Sequence, residues 1–116
     1  MLPAANRLRS AADFSETTRR GRKVARGCVV VYALAADPQD GAHDGARVGL
    51  IVGKAVGGSV ERHRAARRIR GAVAGQLPGL PAGTRVVVRA LKGADTDRDL
   101  PTDLAASLQS AVAKAH

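Results

Sequence analysis

Residues 61–70 read ERHRAARRIR, and five of these ten residues are arginine. An α-helix turns by about 100° per residue, which separates this stretch into a basic and an apolar side. The basic side would hold Arg64, Arg67, Arg68 and Arg70. The apolar side would hold Ala65, Ile69, Ala72 and Val73, with Ala66 beside them. The pattern predicts a helix that packs its apolar stripe on a core and presents guanidinium groups outward.

The basic side of this helix indicates an anionic partner. An arginine guanidinium can hold a phosphate through two parallel hydrogen bonds, which a lysine ammonium cannot do. Closely spaced like charges repel each other unless an anion meets them, and Glu61 is the single acid in the stretch. A solvated charged face is the alternative interpretation, but such helices usually mix both signs. We therefore expect a nucleic-acid partner.

Composition restricts the class of protein. The chain has 116 residues and a formal net charge of +9, with a sequence pI of about 11.3. This length suits one domain over residues 1–116, and the charge is compatible with DNA, RNA or an anionic membrane surface. Cys28 is the only cysteine, which excludes an internal disulfide and a cysteine-rich metal site. No apolar stretch is long enough for a signal peptide or a membrane span, so we expect a cytoplasmic protein.

Capping and turn residues delimit the predicted elements. The first helix is predicted over residues 11–20, because Ser10 suits an N-cap and Gly21 a C-terminal stop. Ser59 is predicted to cap the arginine helix, which would end near Gln76, ahead of Pro78. Strands are predicted at residues 28–34, 47–52 and 85–90, a loop at 37–45 and a closing helix at 102–114. This order predicts an α+β fold, with helices covering a small sheet.

No side-chain constellation indicates catalysis by the protein itself. His43 and His116 have no neighbour that suggests a base or a metal ligand, and His63 lies between two arginines, where a hydrogen-bonding or stacking role fits better than that of a general acid. The acids cluster in or beside predicted loops, without the spacing of a catalytic carboxylate pair. Residues 53–59 (GKAVGGS) lack the Gly-Lys-Ser/Thr of a P-loop, although Lys54 and the helix start that follows favour a phosphate. We expect neither a protein active site nor a metal site.

Phe14 and Tyr32 are the only aromatic residues of the chain. Core packing is the default role for both. Single-stranded nucleic acids stack their bases on aromatic rings, so each of the two is also a candidate binding residue. If the first helix packs at the edge of the sheet, the two rings could flank one groove for a single strand.

Residues 48–70 resemble the bacterial ribonuclease P protein subunit. In that family a strand leads into a lysine-bearing loop and then into an arginine-rich helix, as residues 48–52, 53–59 and 60–70 do here. Further matches are Asn6-Arg7-Leu8-Arg9, Asp13-Phe14, Gly21, Val31-Tyr32 and the strand at residues 85–90. The resemblance covers nearly the whole chain and its order of elements.

The resemblance implies a particular fold. It would be a small α/β sandwich with a four-stranded, mostly antiparallel sheet and three helices, related to a ribosomal-protein domain. A short strand near Lys23 and Val24 would supply the fourth strand, which the residues alone do not predict. The arginine helix would lie in a left-handed strand–helix–strand crossover, against the usual right-handed preference.

The resemblance also implies a role in the ribonucleoprotein that removes the 5′ leader of precursor tRNA. The catalytic RNA subunit would be contacted by the basic motif: Arg62, His63, Arg64, Arg67, Arg68 and Arg70. A cleft between the first helix and the sheet would receive the single-stranded leader at Phe14, Thr18, Tyr32 and Lys54. Mg²⁺ would be held mainly by RNA and substrate, so catalysis would belong to the RNA. Neither a protein partner nor a membrane would be required.

Three positions depart from the family motif. His63 replaces an asparagine, Ala66 replaces a lysine, and Thr18 replaces a second aromatic residue of the cleft. The change at Thr18 predicts weaker stacking of the leader and more reliance on charge, including that of Lys54. A structural RNA binder such as a ribosomal protein is the alternative function, and it would need no cleft. Membrane-surface binding is a weaker alternative, because the apolar side of the arginine helix is largely alanine.

Overall fold

The computed structural model describes residues 6–8, 10–36 and 45–116. Within these residues the helices are Ala11–Arg20 (α1), Ser59–Ala74 (α2) and Leu100–Ala115 (α3). The strands are Arg22–Arg26 (β1), Val29–Leu34 (β2), Arg47–Ile51 (β3) and Arg85–Ala90 (β4). A short 3₁₀ turn, Leu77–Gly79, follows α2. Of the predicted loop at residues 37–45, only Gly45 lies within the described residues.

The strands form one sheet in the order β1-β2-β4-β3. β1 pairs antiparallel with β2 and β2 pairs antiparallel with β4, whereas β3 runs parallel to β4. This mixed, mostly antiparallel sheet with three helices confirms the predicted fold class. β1 is the fourth strand that the family resemblance implied near Lys23. β3, α2 and β4 form the strand–helix–strand crossover, and its left-handed turn stays a prediction.

The two faces of the sheet are covered by different parts of the chain. The larger core joins one face to α2 and α3 and includes Val29, Val31, Val86, Val88, Ile69, Val73, Leu104 and Leu108. The smaller core covers the other face and consists of Leu8, Val30, Tyr32 and Val87, with Phe14, Ile51 and Leu91 packed against it. Because neighbouring strand residues point to opposite faces, a one-residue shift of β2 would exchange its contributions to the two cores.

A buried ion-pair cluster fixes α1 to the sheet. Arg85, the first residue of β4, is 4% exposed, and its Nη1 lies 2.8 Å from Oε1 of Glu16 and 3.9 Å from Oδ1 of Asp13. An unpaired charge in the interior would be costly, so the two carboxylates stabilise this guanidinium. Ser10 caps α1 as predicted and accepts a hydrogen bond from the N–H of Asp13. The first half of α1 is therefore firmly placed over the sheet.

The beginning of α2 differs from the prediction by one residue. Gly58 is the N-cap, without a side-chain cap hydrogen bond, and Ser59 is the first helical residue. Gly57 has a φ of 142°, a conformation that favours glycine, and the side chain of Glu61 lies against both glycines. The carboxylate of Glu61 thereby reaches the positive end of the helix dipole. The prediction that Ser59 caps the helix is wrong.

Candidate nucleic-acid interface

α2 divides its residues between core and solvent largely as predicted. Its buried residues are Ala65, Ala66, Ile69 and Val73. Its exposed residues in the basic motif are His63, Arg64, Arg67 and Arg70. Ala66, where the family motif has a lysine, is 9% exposed, so this position contributes to packing instead of charge. The exposed side of α2 therefore concentrates positive charge on one surface of the molecule.

Arg68 is bound to the loop that follows β4, at residues 91–99. It donates from Nη1 to the carbonyl oxygen of Ala94 at 2.9 Å and from Nη2 to the carbonyl oxygen of Asp97. Its guanidinium is therefore engaged in holding this loop against α2. Sequence reasoning grouped Arg68 with the RNA-contacting arginines and missed this role, because its partners are backbone atoms distant in the sequence.

Arg64 and Arg62 have weaker partners than Arg68. Nη1 of Arg64 lies 3.8 Å from Oδ2 of Asp95, and the two side chains are 46% and 13% exposed. A surface ion pair of this kind contributes about 0–1 kcal/mol, so a phosphate can replace the carboxylate at little cost. Nε of Arg62 donates to the carbonyl oxygen of Gly58 across a long 3.4 Å. Both guanidinium groups can therefore turn to an anionic ligand.

A groove of about 670 Å³ lies between α1, β3 and α2. Its basic lining residues are Arg7, His63, Arg67 and Arg70. Its other lining residues are Leu8, Phe14, Val48, Gly49 and Leu50. An apolar hollow with a few charged groups is typical of ligand sites. This combination suits a nucleotide, whose base can contact the apolar residues while its phosphate meets the guanidinium groups.

The position of Phe14 in this groove depends on a glycine of β3. A Cβ atom at Gly49 would overlap the ring of Phe14. A glycine inside a strand often marks such a close approach of another group. Sequence reasoning did not identify Gly49, although its place between Val48 and Leu50 in a predicted strand is the signal that could have found it.

The residues predicted for the leader cleft do not share one pocket. Tyr32 belongs to the smaller core and is only 9% exposed, whereas Phe14 packs against that core and is the one of the four that lines the groove. The hydroxyl of Thr18 donates to the carbonyl oxygen of Phe14 at 3.0 Å. Lys54 is exposed in the turn between β3 and α2. The structure thus presents one aromatic ring and one lysine of this set to a ligand.

The loop after β4 also contacts Cys28, the only cysteine of the chain. Sγ of Cys28 donates a hydrogen bond to Oδ2 of Asp97 at 3.1 Å. Burial and, after it, this hydrogen bond raise the pKa of Cys28 to about 11, while the same bond lowers the pKa of Asp97. A thiol that keeps its proton at neutral pH is a poor nucleophile. Cys28 and Asp97 therefore act as a structural pair.

Two further properties concern the described part of the chain. Its His, Cys, Asp and Glu side chains form no group of three or more that could hold a metal ion. None of its helices combines the length and apolar character needed to cross a membrane.

Known proteins resemble this chain in both sequence and fold. The family model described as Ribonuclease P matches residues 2–116. The curated ribonuclease P protein component of Nocardioides sp. is 50% identical over 38 residues, which are 33% of this chain and 32% of that protein. The chain thus aligns with about a third of that relative's length.

Solved structures extend the likeness over most of the chain. The Staphylococcus aureus RNase P protein matches with a TM-score of 0.74 and 25% identity, over 91% of this chain and 94% of that chain. The Thermotoga maritima RNase P protein matches with a TM-score of 0.59 and 19% identity, over 93% of this chain and 92% of that chain. Because the Thermotoga maritima protein is 19% identical to this chain, its match is evidence for the fold alone.

Proposed function

Because the chain belongs to the ribonuclease P protein family, we propose that it is the protein subunit of the ribonucleoprotein endoribonuclease that removes the 5′ leader of precursor tRNA. The observation that supports this most strongly is the exposed basic side of α2, whose opposite side is buried. The net charge of +9 supports a polyanionic partner, since phosphate contacts dominate the affinity of proteins for nucleic acids.

The catalytic RNA subunit is the proposed partner of the basic side of α2. Arg64, Arg67 and Arg70 are exposed and can each engage a phosphate through two N–H groups. His63 and Arg62 complete the contact surface. Arg68 contributes indirectly in this proposal, because its guanidinium is hydrogen-bonded to the loop after β4.

The single-stranded leader is proposed to lie on the sheet face that carries the smaller core, beside α1. Phe14 offers a partly exposed ring, and stacking of one base on an aromatic side chain contributes about 1–3 kcal/mol. Tyr32 is buried and the Thr18 hydroxyl is hydrogen-bonded to the helix backbone, so both offer less contact surface. The exposed ammonium of Lys54 adds a phosphate contact. This arrangement supports a leader site with weak stacking and a larger contribution from charge.

Mg²⁺ is proposed to be held mainly by the RNA and the substrate, where it would stabilise the charge that develops at the cleaved phosphate. The carboxylate of Asp97, in the loop packed against α2, supports this assignment, because it already has partners within the protein. It accepts hydrogen bonds from Cys28 and from the N–H of Asp99. The protein would contribute positive charge that increases the affinity for substrate and metal.

The salt dependence of binding tests the assignment of the RNA subunit. Replacing Arg64 and Arg67 together with glutamine should reduce the slope of log K against log[salt] by about 0.9 for each phosphate that the variant no longer neutralises. The measurement is a salt titration of binding to a bacterial ribonuclease P RNA. Arg98→Gln with Lys114→Gln is the matched control, since it removes the same charge from exposed positions outside α2. Equal slopes for the two double variants would contradict the assignment.

A further inference from the structure

A second basic surface lies at the edge of the sheet opposite to β3 and the adjoining α2. Residues 19–26 read RRGRKVAR and contain five cations and no acid. They form the end of α1, the turn at Gly21 and β1. The cationic side chains of this stretch are all exposed: Arg19, Arg20, Arg22, Lys23 and Arg26. We call residues 19–26 the basic edge.

The basic edge places charge on both faces of the sheet. The register with β2 puts Lys23 on the face of the smaller core and Arg22 and Arg26 on the face covered by α3. β1 is the last strand of the sheet, and among the described residues no further strand pairs with its outer side. The outer side of β1 therefore presents backbone N–H and C=O groups that pair with no other described strand. Cationic side chains flank these groups on both faces of the sheet.

Acidic side chains in the described part of the chain neutralise little of this charge. Nη1 of Arg20 lies 3.7 Å from Oε1 of Glu16, which is bound more closely by the buried Arg85. Nε of Arg26 lies 3.5 Å from Oδ1 of Asp103, and its side chain is 62% exposed. Surface pairs at these distances are weak.

The other three cations of the basic edge form no such pair. Within the described part of the chain, Arg19, Arg22 and Lys23 have no acidic side chain within salt-bridge distance. Among the described residues, the basic edge therefore carries positive charge that acidic side chains leave largely unneutralised, which suits an anionic ligand.

We propose that the basic edge binds the sugar–phosphate backbone of a second RNA segment, distinct from the segment on α2. The groove residues show that the basic side of α2 adjoins β3, and the strand order places β1 and β3 at opposite edges of the sheet. Three strand spacings separate those edges by about 14 Å. The two surfaces therefore lie at opposite edges of the sheet, where separate RNA segments can reach them. This inference rests on the proposed function only in taking RNA as the ligand of α2.

The cations of β1 have an alternative, purely structural explanation. Charge-reversal variants can distinguish that explanation from RNA binding. Lysines on edge strands discourage pairing with another chain. Glutamate at the same position keeps the edge charged and solvated, but it repels a phosphate. Lys23→Glu and the double change Arg22→Glu/Lys23→Glu therefore remove RNA binding at the basic edge while retaining protection against strand pairing.

The test measures affinity in two steps across a range of salt concentrations. The first step is binding of the protein to a bacterial ribonuclease P RNA, and the second is binding of precursor tRNA by the preformed complex. Lys114→Glu is the matched control for Lys23→Glu, and Arg98→Glu/Lys114→Glu is the matched control for the double variant, because each makes the same charge change at exposed positions outside the basic edge. Circular dichroism verifies that each variant is folded, and light scattering verifies that it does not self-associate.

The proposal predicts a loss of affinity that the control does not show. The double variant should lose about tenfold or more at 100 mM salt, with a shallower salt slope, in one of the two steps. A loss in the first step places the second segment in the RNA subunit, and a loss in the second step places it in precursor tRNA. If the double variant differs from its matched control in neither step, the proposal is wrong and the cations only protect the edge. Arg64→Gln/Arg67→Gln, measured in parallel, tests the α2 assignment independently.

Discussion

At the residue scale, the arginines of α2 perform different tasks despite their proximity in sequence. Arg64, Arg67 and Arg70 are exposed, whereas the guanidinium of Arg68 is hydrogen-bonded to two carbonyl oxygens of the loop after β4. Under the proposed function, α2 therefore combines cations that contact RNA with one that organises the protein. The two kinds of arginine can be distinguished by measuring the free energy of unfolding and the affinity for RNA of variants at each position.

Replacing Arg68 with glutamine should reduce the free energy of unfolding by about 1.5–3 kcal/mol, the usual contribution of charged hydrogen bonds to partly buried acceptors. The matched variant Arg67→Gln removes the same charge from an exposed neighbour and should change stability by less than about 0.5 kcal/mol. Urea unfolding measures both values. Equal stability of the two variants would show that the loop contacts of Arg68 contribute nothing.

Cys28 gives the protein a pH-dependent stability at alkaline pH. The folded state keeps the thiol proton up to a pKa of about 11, compared with 9.0 for an unperturbed thiol. Between these values the unfolded chain releases the proton and the folded chain does not, so stability should fall as pH rises from 9 to about 11. Below pH 9 this contribution should be complete.

Unfolding measured from pH 7 to 11 tests this prediction. In Cys28→Ala, the free energy of unfolding should lose the pH dependence that comes from the thiol. A change in this free energy that is the same at every pH does not affect the comparison. Iodoacetamide should react with Cys28 of the folded protein far more slowly than with the urea-unfolded chain, because the thiolate is the reactive form. Equal reaction rates would contradict the raised pKa.

At the element scale, the candidate site depends on how α1 packs on the sheet. The ion pairs of Arg85 with Glu16 and Asp13 hold the helix, and the close approach of Phe14 to Gly49 brings an aromatic ring to the groove. The groove therefore exists because a charged contact and a glycine position α1 relative to β3.

Gly49→Ala should displace the ring of Phe14, because its new Cβ would overlap that ring. Crowding of this kind costs roughly 1–3 kcal/mol of stability. Affinity for a single-stranded leader should also fall. Gly53→Ala is the control, since a Cβ there has no atom within 4 Å and should leave both properties nearly unchanged. Urea unfolding and leader binding by the two variants give the comparison, and a Gly49→Ala protein that matches Gly53→Ala would contradict this packing.

Much of the element structure can be predicted from local sequence. The bounds of α1 and β4 agree with the prediction, because Ser10, Gly21 and the valines of β4 carry strong local signals. β1 has no such signal: its sequence RKVAR is mostly charged, and its strand conformation comes from pairing with β2. α3 begins at Leu100 instead of residue 102, because Pro101 is tolerated in the first turn of a helix.

At the scale of the whole molecule, the sheet separates two positively charged surfaces. α2 and the groove adjoin β3, while the basic edge follows β1 at the other end of the strand order. Composition predicts the net charge but not this division, which depends on strand pairing between distant parts of the sequence. The position of Arg68 against the loop after β4 is a tertiary effect of the same kind.

The most direct test of the proposed function is cleavage of precursor tRNA by a bacterial ribonuclease P RNA at low Mg²⁺, with and without this protein. We predict that the protein restores cleavage at the correct 5′ site and that Arg64→Gln/Arg67→Gln restores it less well. The RNA alone at high Mg²⁺ provides the control for a competent catalyst. Failure of the folded protein to restore cleavage with such an RNA would contradict the proposal and favour a structural RNA-binding role.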